Sequence, residues 1–483
     1  MNRELRRISL VVGSMFLALF LSATNLQVIS AESLSADPRN VRAIYDGYET
    51  KRGAILVDSQ PIAESTPSDD AFNYTREYNS DMYSAVTGFY SYYQGATGLE
   101  SSANDYLNGK NSAQFFERLN SLFSGNPLSG ASIELTIDPN LQRVAYDAMG
   151  NKTGAVIAIE PSSGNILAMV STPGFNSNKL AVHNGTKAQA NYNSLLEAPG
   201  DPLINKAIGG SLYTPGSVFK LVVAAAALES GEYTPETELP NPRSYTLPNT
   251  STKISNAGNS TCGGKATVSL LDAMRLSCNV PFAALGVELG QDRIRKMAKD
   301  FGFGTSFRIP TVATASTYPD NMDEAQTALT AFGQFDVRVT PLQMALITAA
   351  IANGGKQMNP QLIENVQSSN LALLNQTRPS EFGSPISKET ADGLKRMMIA
   401  AVSNGVSGNA GVSGTVVAGK TGTAQNGTDD PYTLWFAGFA PAENPQVVVV
   451  VMVANGGGMG QNGSGNFLAA PIAKKVIQAV INR

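Results

Sequence analysis

An alanine-rich apolar segment that follows a Pro-Gly turn constrains the fold more than any other stretch. Residues 213–220 are Tyr-Thr-Pro-Gly-Ser-Val-Phe-Lys, and residues 221–228 contain only Leu, Val and Ala. The second half predicts a helix that is apolar on nearly all sides, and such a helix is buried in a larger domain. Ser217 lies near its first turn and Lys220 three residues later, on the same face. A hydroxyl and an amine are thereby held together where the helix dipole is positive.

The composition limits the chemistry that is available around that serine. The 483 residues predict two or three structural units, and the net charge of −4 argues against nucleic-acid binding. The chain has one histidine, His183, and two cysteines, and no His/Cys/carboxylate cluster has metal-ligand spacing. We therefore expect neither a metal nor a cofactor, and catalysis by Ser, Lys, Tyr or carboxylate side chains.

The N-terminus predicts a membrane anchor. Three arginines among residues 1–7 precede an apolar run that we assign to residues 8–28, just long enough to span a bilayer. A cleaved signal peptide is the alternative, but no good small-residue cleavage site follows the run. By the positive-inside rule, residues 1–7 are cytoplasmic and the remainder of the chain is exported.

Two further units are predicted after the anchor. Residues 29–130 form a small, extended, membrane-proximal domain, and residues 131–483 form the main domain, with the boundary near a Pro-Leu-Ser-Gly stretch at 127–130. The predicted elements of the smaller domain are a strand at 52–57, a polar loop at 60–70, a tyrosine-rich segment at 74–93 and a helix at 113–123.

In the main domain, strands at both ends of the sequence bracket a helical middle. The predicted strands are 133–137, 155–159, 166–170, 416–423, 435–440 and 446–454. The predicted helices are 140–149, 213–230, 267–276, 280–290, 291–300, 341–353, 388–403 and 469–481, with a polar loop at about 232–262. This order predicts an α+β fold in which helices flank one antiparallel sheet and a helical subdomain is inserted between its strands.

Three short motifs follow one another in the main domain. They are Ser-x-x-Lys at Ser217 and Lys220, Ser-x-Asn at Ser277 and Asn279, and Lys-Thr-Gly at Lys420, Thr421 and Gly422, continued by Thr423. Each is weak alone, because a helix-start serine, a capping loop or an exposed strand lysine explains it equally well. All three in order, each in its required secondary structure, are typical of penicillin-binding proteins and related β-lactamases.

The chemistry gives each motif a role. Lys220, kept neutral by burial and by cationic Lys420, can take the proton of Ser217. Ser277 can pass protons between this site and a leaving amine, and the sequence leaves open which of Lys220 and Ser277 is the immediate base. The backbone N–H groups of Ser217 and Thr423 are the expected oxyanion hole.

The remaining motif residues are candidates for substrate binding. Asn279 can hold an amide of a peptide substrate. Lys420, Thr421 and Thr423 offer a cation and hydroxyls to a terminal carboxylate. Gly422 removes a side chain from one strand face, so a substrate backbone can lie close to the strand and pair with its edge.

The chain resembles the class B penicillin-binding proteins, which are bacterial D,D-transpeptidases. Beyond the three motifs, the matching stretches are 135–142, 205–208, 333–334, 339–343, 417–425 and 435–441. The short first domain and the Tyr-Thr-Pro-Gly-Ser at 213–217 are similar to the actinobacterial penicillin-binding protein A group. The resemblance implies that Ser217 attacks the D-Ala-D-Ala bond of a peptidoglycan stem peptide, releases D-alanine and transfers the acyl group to a neighbouring stem. It also implies that β-lactams acylate Ser217, and that the partners include the membrane and other cell-wall synthesis or division proteins.

Two other functions remain as alternatives. A D,D-carboxypeptidase or a β-lactamase would share the fold, but the extra domain and the uncleaved anchor disfavour both. Asp320, Asp323 and Glu324 are nominal candidates for a water-activating carboxylate, although a solvated loop explains them better. A β-lactam sensor or a non-catalytic scaffold is the other alternative. A sensor is expected to have more membrane segments, and the intact motifs disfavour a scaffold.

The two cysteines lie in and shortly before the second motif. Cys278 lies inside it and Cys262 lies in the preceding loop. Because an exported domain permits disulfides, we expect a Cys262–Cys278 bridge that holds this loop beside the site, with two free thiols as the alternative.

Overall fold

The computed structural model describes residues 2–30, 34, 51–70, 72–124, 129–210 and 212–482. Its first helix is α-helical over Asn2–Thr24 and continues as a π-helix over Asn25–Ile29. By length and composition, Arg3–Gln27 can cross a membrane, and none of its apolar window is buried within the protein. The predicted anchor therefore corresponds to a single helix.

A five-stranded antiparallel sheet, called the central sheet here, forms the core of the main domain. In spatial order its strands are Ala418–Ala424, Thr433–Ala440, Val447–Val453, Gly154–Ile159 and Ile166–Thr172. Two segments that are nearly 300 residues apart in sequence are adjacent, because Val448 pairs with Ile159 and Val453 with Gly154. The predicted antiparallel sheet, built from both ends of the main domain, is confirmed.

Helices cover both faces of the central sheet, which is why its strands are almost continuously apolar. Pro139–Met149 and Gly465–Ile481 pack on one face, and Pro341–Ala352 packs on the other. The first of these helices begins as the Asp-Pro sequence predicts, since the Asp138 carboxylate accepts the N–H of Leu141 at 2.7 Å.

The inserted helical subdomain surrounds the alanine-rich helix Lys220–Glu229, which is buried from Lys220 to Ala227. Its other helices are Leu270–Arg275, Asn279–Asp300, Glu324–Thr330 and Lys388–Ser403. Within Asn279–Asp300, Gly290 has non-helical backbone angles (φ = 76°), so the predicted division into helices at 280–290 and 291–300 is confirmed. The predicted helix 213–230 is corrected, because it begins only at Gly216, as a 3₁₀ turn.

A second, six-stranded sheet, called the outer sheet here, joins the smaller domain to the main one. In spatial order its strands are Leu373–Gln376, Ile363–Gln367, Ser132–Leu135, Ile55–Val57, Gln60–Pro67 and Tyr74–Tyr78. The loop predicted at 60–70 is therefore wrong, because Gln60–Pro67 buries Ile62, Ala63 and Ser65 as a strand. Its Ser, Pro and Glu residues conceal this strand in the sequence.

The remaining helices and strands are short. The helices are Ser84–Thr87, Gly98–Ser102, Asn104–Leu107, Phe115–Ser124 and Gly185–Leu196. The strand pairs are Tyr90–Ser91 with Gly95–Ala96, Glu238–Pro240 with Thr267–Ser269, Ser244–Thr246 with Lys253–Ser255, and Gln357–Met358 with Glu381–Gly383. Short strands thus interrupt the loop predicted at 232–262. Residues 31–33, 35–50 and 125–128, on which part of the predicted domain 29–130 and its boundary fall, lie outside the described residues.

A buried group of charges, called the arginine–glutamate cluster here, holds the smaller domain together. Glu100 accepts hydrogen bonds from Arg52 at 2.8 Å and from Arg76 at 2.6 Å, and all three side chains are at most 4% exposed. Arg76 also donates to the Gly53 carbonyl, and Arg52 to the Asn104 side chain. Because the cluster joins the strand Tyr74–Tyr78, the helix Gly98–Ser102 and the segment just before the strand Ile55–Val57, it fixes how they pack.

Candidate active site

Ser217 lies on a turn that is held from two sides. The turn is the 3₁₀ segment Gly216–Phe219, and the helix Lys220–Glu229 follows it directly, so Ser217 lies about one turn before Lys220. The Gly216 N–H donates to the Gly333 carbonyl at 2.9 Å. On the other side, the buried Trp435 indole donates to the Thr214 carbonyl, also at 2.9 Å. Ser217 is half-buried, whereas Lys220 is fully buried behind it.

Two buried lysines meet at the second motif. Lys220 Nζ donates to the Ser277 carbonyl and to Asn279 Oδ1, both at 2.8 Å. Lys420 Nζ donates to Ser277 Oγ and to the Thr421 carbonyl, again at 2.8 Å. The structure thus joins Lys220 of the first motif and Lys420 of the third motif to the Ser277–Asn279 turn of the second. It has no hydrogen bond between Lys220 Nζ and Ser217 Oγ among the described residues.

Burial dominates the electrostatics of both lysines. It lowers the pKa of Lys220 well below its usual range, and the nearby Lys420 lowers that pKa further. Burial also lowers the pKa of Lys420, to about 7. Their hydrogen-bond partners in the described structure are hydroxyl, amide and carbonyl oxygens, with no carboxylate among them. A buried amine without a carboxylate loses its proton readily, and one of the two can therefore be neutral near pH 7.

The Ser277–Asn279 turn is fixed by the preceding loop. Ser277 has φ = 60°, in the left-handed region that a non-glycine residue occupies only when its surroundings hold it there. Asn256 Oδ1 accepts the N–H groups of Asn279 at 2.9 Å and of Val280 at 3.0 Å. The structure also joins Cys262 and Cys278 by a disulfide. The loop before the motif therefore orients the Ser277 hydroxyl.

The edge strand Ala418–Ala424 places its motif residues on alternating faces. Thr421 and Thr423 share the face opposite Lys420, and the Thr421 hydroxyl lies 3.1 Å from Ser407 Oγ instead of being directed freely into the cleft. The Thr423 hydroxyl accepts the Gly465 N–H at 3.2 Å. A Cβ at Gly422 would meet the Pro215 carbonyl at 2.9 Å, so this glycine lets the strand approach the Ser217 turn. From the sequence, Gly422 is expected to let a substrate backbone, rather than the Ser217 turn, lie close to the strand.

The three nominal carboxylates have structural partners. Asp320 lies 2.9 Å from Arg295, and Asp323 caps the helix Glu324–Thr330 by accepting the Gln326 N–H. Glu324 is exposed in the first turn of that helix, where a carboxylate complements the helix dipole. These contacts explain all three residues without a catalytic role.

Sequence reasoning missed three residues that support the site. Asn256, Ser407 and Trp435 each bind the backbone of a motif segment. Asn256 and Ser407 lie in polar Gly/Asn/Ser-rich loops, where nothing in the local pattern distinguishes them. Trp435 carries a signal, because it is the single tryptophan and lies in an apolar strand, where a buried indole needs an acceptor.

Comparison with known proteins decides the family. The model described as the penicillin-binding protein transpeptidase domain matches residues 154–478, which include all three motifs. The chain belongs to the penicillin-binding protein transpeptidase family. A second model, the penicillin-binding protein A dimerisation domain, matches residues 52–133. The predicted resemblance to the penicillin-binding protein A group is confirmed.

This penicillin-binding protein is similar to named relatives over its whole length. It is 38% identical over 491 residues to the peptidoglycan D,D-transpeptidase PbpA of Mycolicibacterium smegmatis, covering 100% of this chain and 99% of that protein. The PbpA of Mycobacterium tuberculosis is 39% identical with the same coverage. The structure of penicillin-binding protein A from M. tuberculosis as a ceftriaxone acyl-enzyme has a TM-score of 0.86 at 37% identity, covering 90% of this chain and 99% of that one.

Proposed function

We propose that this protein is a peptidoglycan D,D-transpeptidase that works through an acyl-enzyme on Ser217 and is inhibited covalently by β-lactams. One observation carries the proposal. Lys220, three residues after Ser217, and Lys420 are both buried, both contact the Ser-x-Asn turn, and have no carboxylate partner in the described structure. Family membership and the similarity to named D,D-transpeptidases support the substrate class.

In the proposed acylation, neutral Lys220 accepts the proton of Ser217. A neutral amine has two N–H groups and one lone pair, and Lys220 uses two hydrogen bonds to reach Ser277 and Asn279. Its lone pair is then left for the Ser217 proton. Ser217 Oγ attacks the carbonyl between the two terminal D-alanines, and the C–N bond breaks. Ser277 passes its hydroxyl proton to the departing amine of D-alanine and is reprotonated by Lys420, which donates to Ser277 Oγ. The proton taken from Ser217 remains on Lys220.

Substrate binding is proposed to use the open edge of the strand Ala418–Ala424. Lys420 supplies positive charge for the substrate carboxylate, and Thr421 and Thr423, on the opposite face of the same strand, are the further proposed contacts. The N–H groups of Ser217 and Thr423 stabilise the oxyanion, and the Asn279 side chain holds a stem-peptide amide. An amine of a neighbouring stem then attacks the acyl-enzyme, which forms the cross-link and frees Ser217.

We further propose how the chain is organised at the membrane. Residues 1–7 are cytoplasmic, 8–28 are the anchor, 29–130 are a dimerisation or pedestal-like domain, and 131–483 are the catalytic domain outside the membrane. The single apolar helix and the arginines before it support this topology. The smaller domain is the expected contact for other cell-wall synthesis or division proteins, which gives the enzyme a role in division or cell shape.

Labelling with a fluorescent penicillin tests the nucleophile. We expect covalent label on the wild type and none on Ser217→Ala, with equal thermal unfolding temperatures. A labelled Ser217→Ala protein would overturn the assignment.

An assay with two stem peptides, one donor and one amine acceptor, separates transfer from hydrolysis. A cross-linked product is expected, whereas release of D-alanine without it would favour a carboxypeptidase.

A further inference from the structure

The strand Ala418–Ala424 has one edge without a neighbouring strand, but the backbone groups of Thr421 on that edge already have hydrogen-bond partners. The Thr421 N–H donates to Ser407 Oγ at 3.1 Å, and the Thr421 carbonyl accepts from Lys420 Nζ at 2.8 Å. Both backbone groups of Thr421 therefore face the open edge and are already occupied. In a strand, every second residue presents its N–H and C=O on the same edge, so those of Thr423 and Gln425 face the same way.

The backbone groups of Gln425, two residues beyond Thr423, are also occupied. When the Gln334 amide is oriented by its partners, its nitrogen donates to the Gln425 carbonyl at 3.1 Å and its oxygen accepts the Gln425 N–H at 3.2 Å. The side chain thus imitates a neighbouring strand at this point. Its position is fixed, because the adjacent Gly333 binds Gly216 and a Cβ on Gly333 would lie 1.9 Å from the Gly216 carbonyl oxygen.

Of the three residues Thr421, Thr423 and Gln425 that face this edge, only Thr423 has backbone groups without a partner in the described structure. A donor substrate with its carboxylate at Lys420 and its reacting carbonyl at the Thr423 N–H must continue towards Gln425. There it meets the Gln334 amide. The strand can therefore pair with the substrate at Thr423 only, although its geometry would otherwise allow pairing at Gln425 as well.

We propose that Gln334 is a specificity-determining residue that limits donor pairing with the strand to the Thr423 position. The inference rests on the proposed acyl transfer to Ser217. With Gln334 in place, the stem residues that precede the reacting D-alanine leave the strand edge and are held only by the rest of the cleft. Without it, the Gln425 backbone would bind one more peptide unit of the donor.

The test compares two donors on Gln334→Ala and wild-type protein. One donor is an N-acetylated D-Ala-D-Ala dipeptide, and the other carries one additional amide-linked residue at its amino end. Their second-order acylation constants are measured by competition with a fluorescent penicillin. Since each new hydrogen bond contributes a modest net stabilisation, the ratio of the longer to the shorter donor should rise by about three- to tenfold in the variant.

Two further variants keep the test decisive if Gln334→Ala is unstable. Gln334→Glu retains an acceptor for the Gln425 N–H but cannot donate to its carbonyl, so its ratio should rise by less than that of Gln334→Ala. Gln425→Ala changes only an exposed side chain and keeps the backbone, so its ratio should equal that of the wild type. A ratio that is unchanged in both Gln334 variants, with penicillin labelling intact, would overturn the role of Gln334 alone. Loss of labelling in the wild type would instead overturn the proposed function.

Discussion

Two groups of buried cations lie in different parts of this protein and have opposite surroundings. Arg52 and Arg76 lie in the smaller domain, and Lys220 and Lys420 lie in the cleft; all four are at most 4% exposed. The arginines share the carboxylate of Glu100. The hydrogen-bond partners of the lysines within the described structure are hydroxyl, amide and carbonyl oxygens, with no carboxylate among them.

This difference decides which cations keep their charge. Burial alone would raise the pKa of Glu100, but Arg76 and Arg52 outweigh it and the net pKa is lowered, so the carboxylate stays ionised. Nothing comparable offsets burial at the lysines, and the pKa of each is lowered. A compensated buried cation therefore serves the fold, whereas an uncompensated one is prepared to exchange a proton.

The largest effect is expected from Lys220→Ala. Removing the base should lower the rate of acylation by a fluorescent penicillin by about 10²- to 10⁴-fold, which is typical of general-base catalysis. Lys475→Ala, the same change on an exposed helix position, should acylate normally. The change also removes two buried hydrogen bonds and leaves a cavity, so acylation is compared at a temperature where the thermal unfolding curve shows that the variant is folded. Normal acylation by a folded Lys220→Ala protein would remove this lysine from the role of base.

Glu100→Gln should act on the fold instead. Two buried guanidinium groups would lose their shared counter-charge, and breaking such a group costs about 3–5 kcal/mol in the free energy of unfolding. Urea denaturation measures it, with the exposed Glu443→Gln as the control expected to change little. The protein that remains folded should still label with penicillin. A loss of labelling without a loss of stability would break the distinction between the two groups.

The motifs and the sheet could be predicted from sequence because their signals are local. Ser217, Ser277 and Lys420 each lie at a recognisable spacing, and the strands of the central sheet other than Ala418–Ala424 are mostly apolar runs. The strand Gln60–Pro67 and the roles of Asn256 and Ser407 could not be predicted. Each depends on a neighbour that only the folded chain supplies, in the form of a paired strand or a backbone group distant in sequence.

The disulfide tests how far the cleft depends on its loop. Replacing Cys262 and Cys278 together by alanine opens a loop whose ends are 16 residues apart, and closure of such a loop stabilises a fold by about 3 kcal/mol. We expect that loss in urea denaturation, together with slower acylation, since Ser277 is adjacent to Cys278. Mild reduction of the wild type should reproduce both effects. Unchanged acylation would show that Asn256 alone suffices to hold the Ser277 turn.

The pH dependence of acylation is expected to be a bell, because the two lysines must carry one proton between them. As the pH falls through the lowered pKa of Lys220, its amine gains a proton and can no longer act as the base, so the rate falls. As the pH rises above about 7, Lys420 loses its proton and with it the positive charge for the substrate carboxylate, so the rate falls again. On each limb, at pH values well past the pKa, the rate should change about tenfold per pH unit.

Lys420→Arg assigns the alkaline limb. A guanidinium stays charged throughout this range, so the rate of this variant, even if lower overall, should no longer decline above pH 7. The arginine–glutamate cluster provides the contrast. Glu100 has a pKa lowered by folding, so it stabilises the fold above the usual carboxyl range and loses that contribution only as the pH falls through its folded pKa. Above about pH 7, the rate of acylation should therefore fall while the contribution of Glu100 to stability is retained. An alkaline limb that persists in Lys420→Arg would mean that another group, not the uncompensated Lys420, sets it.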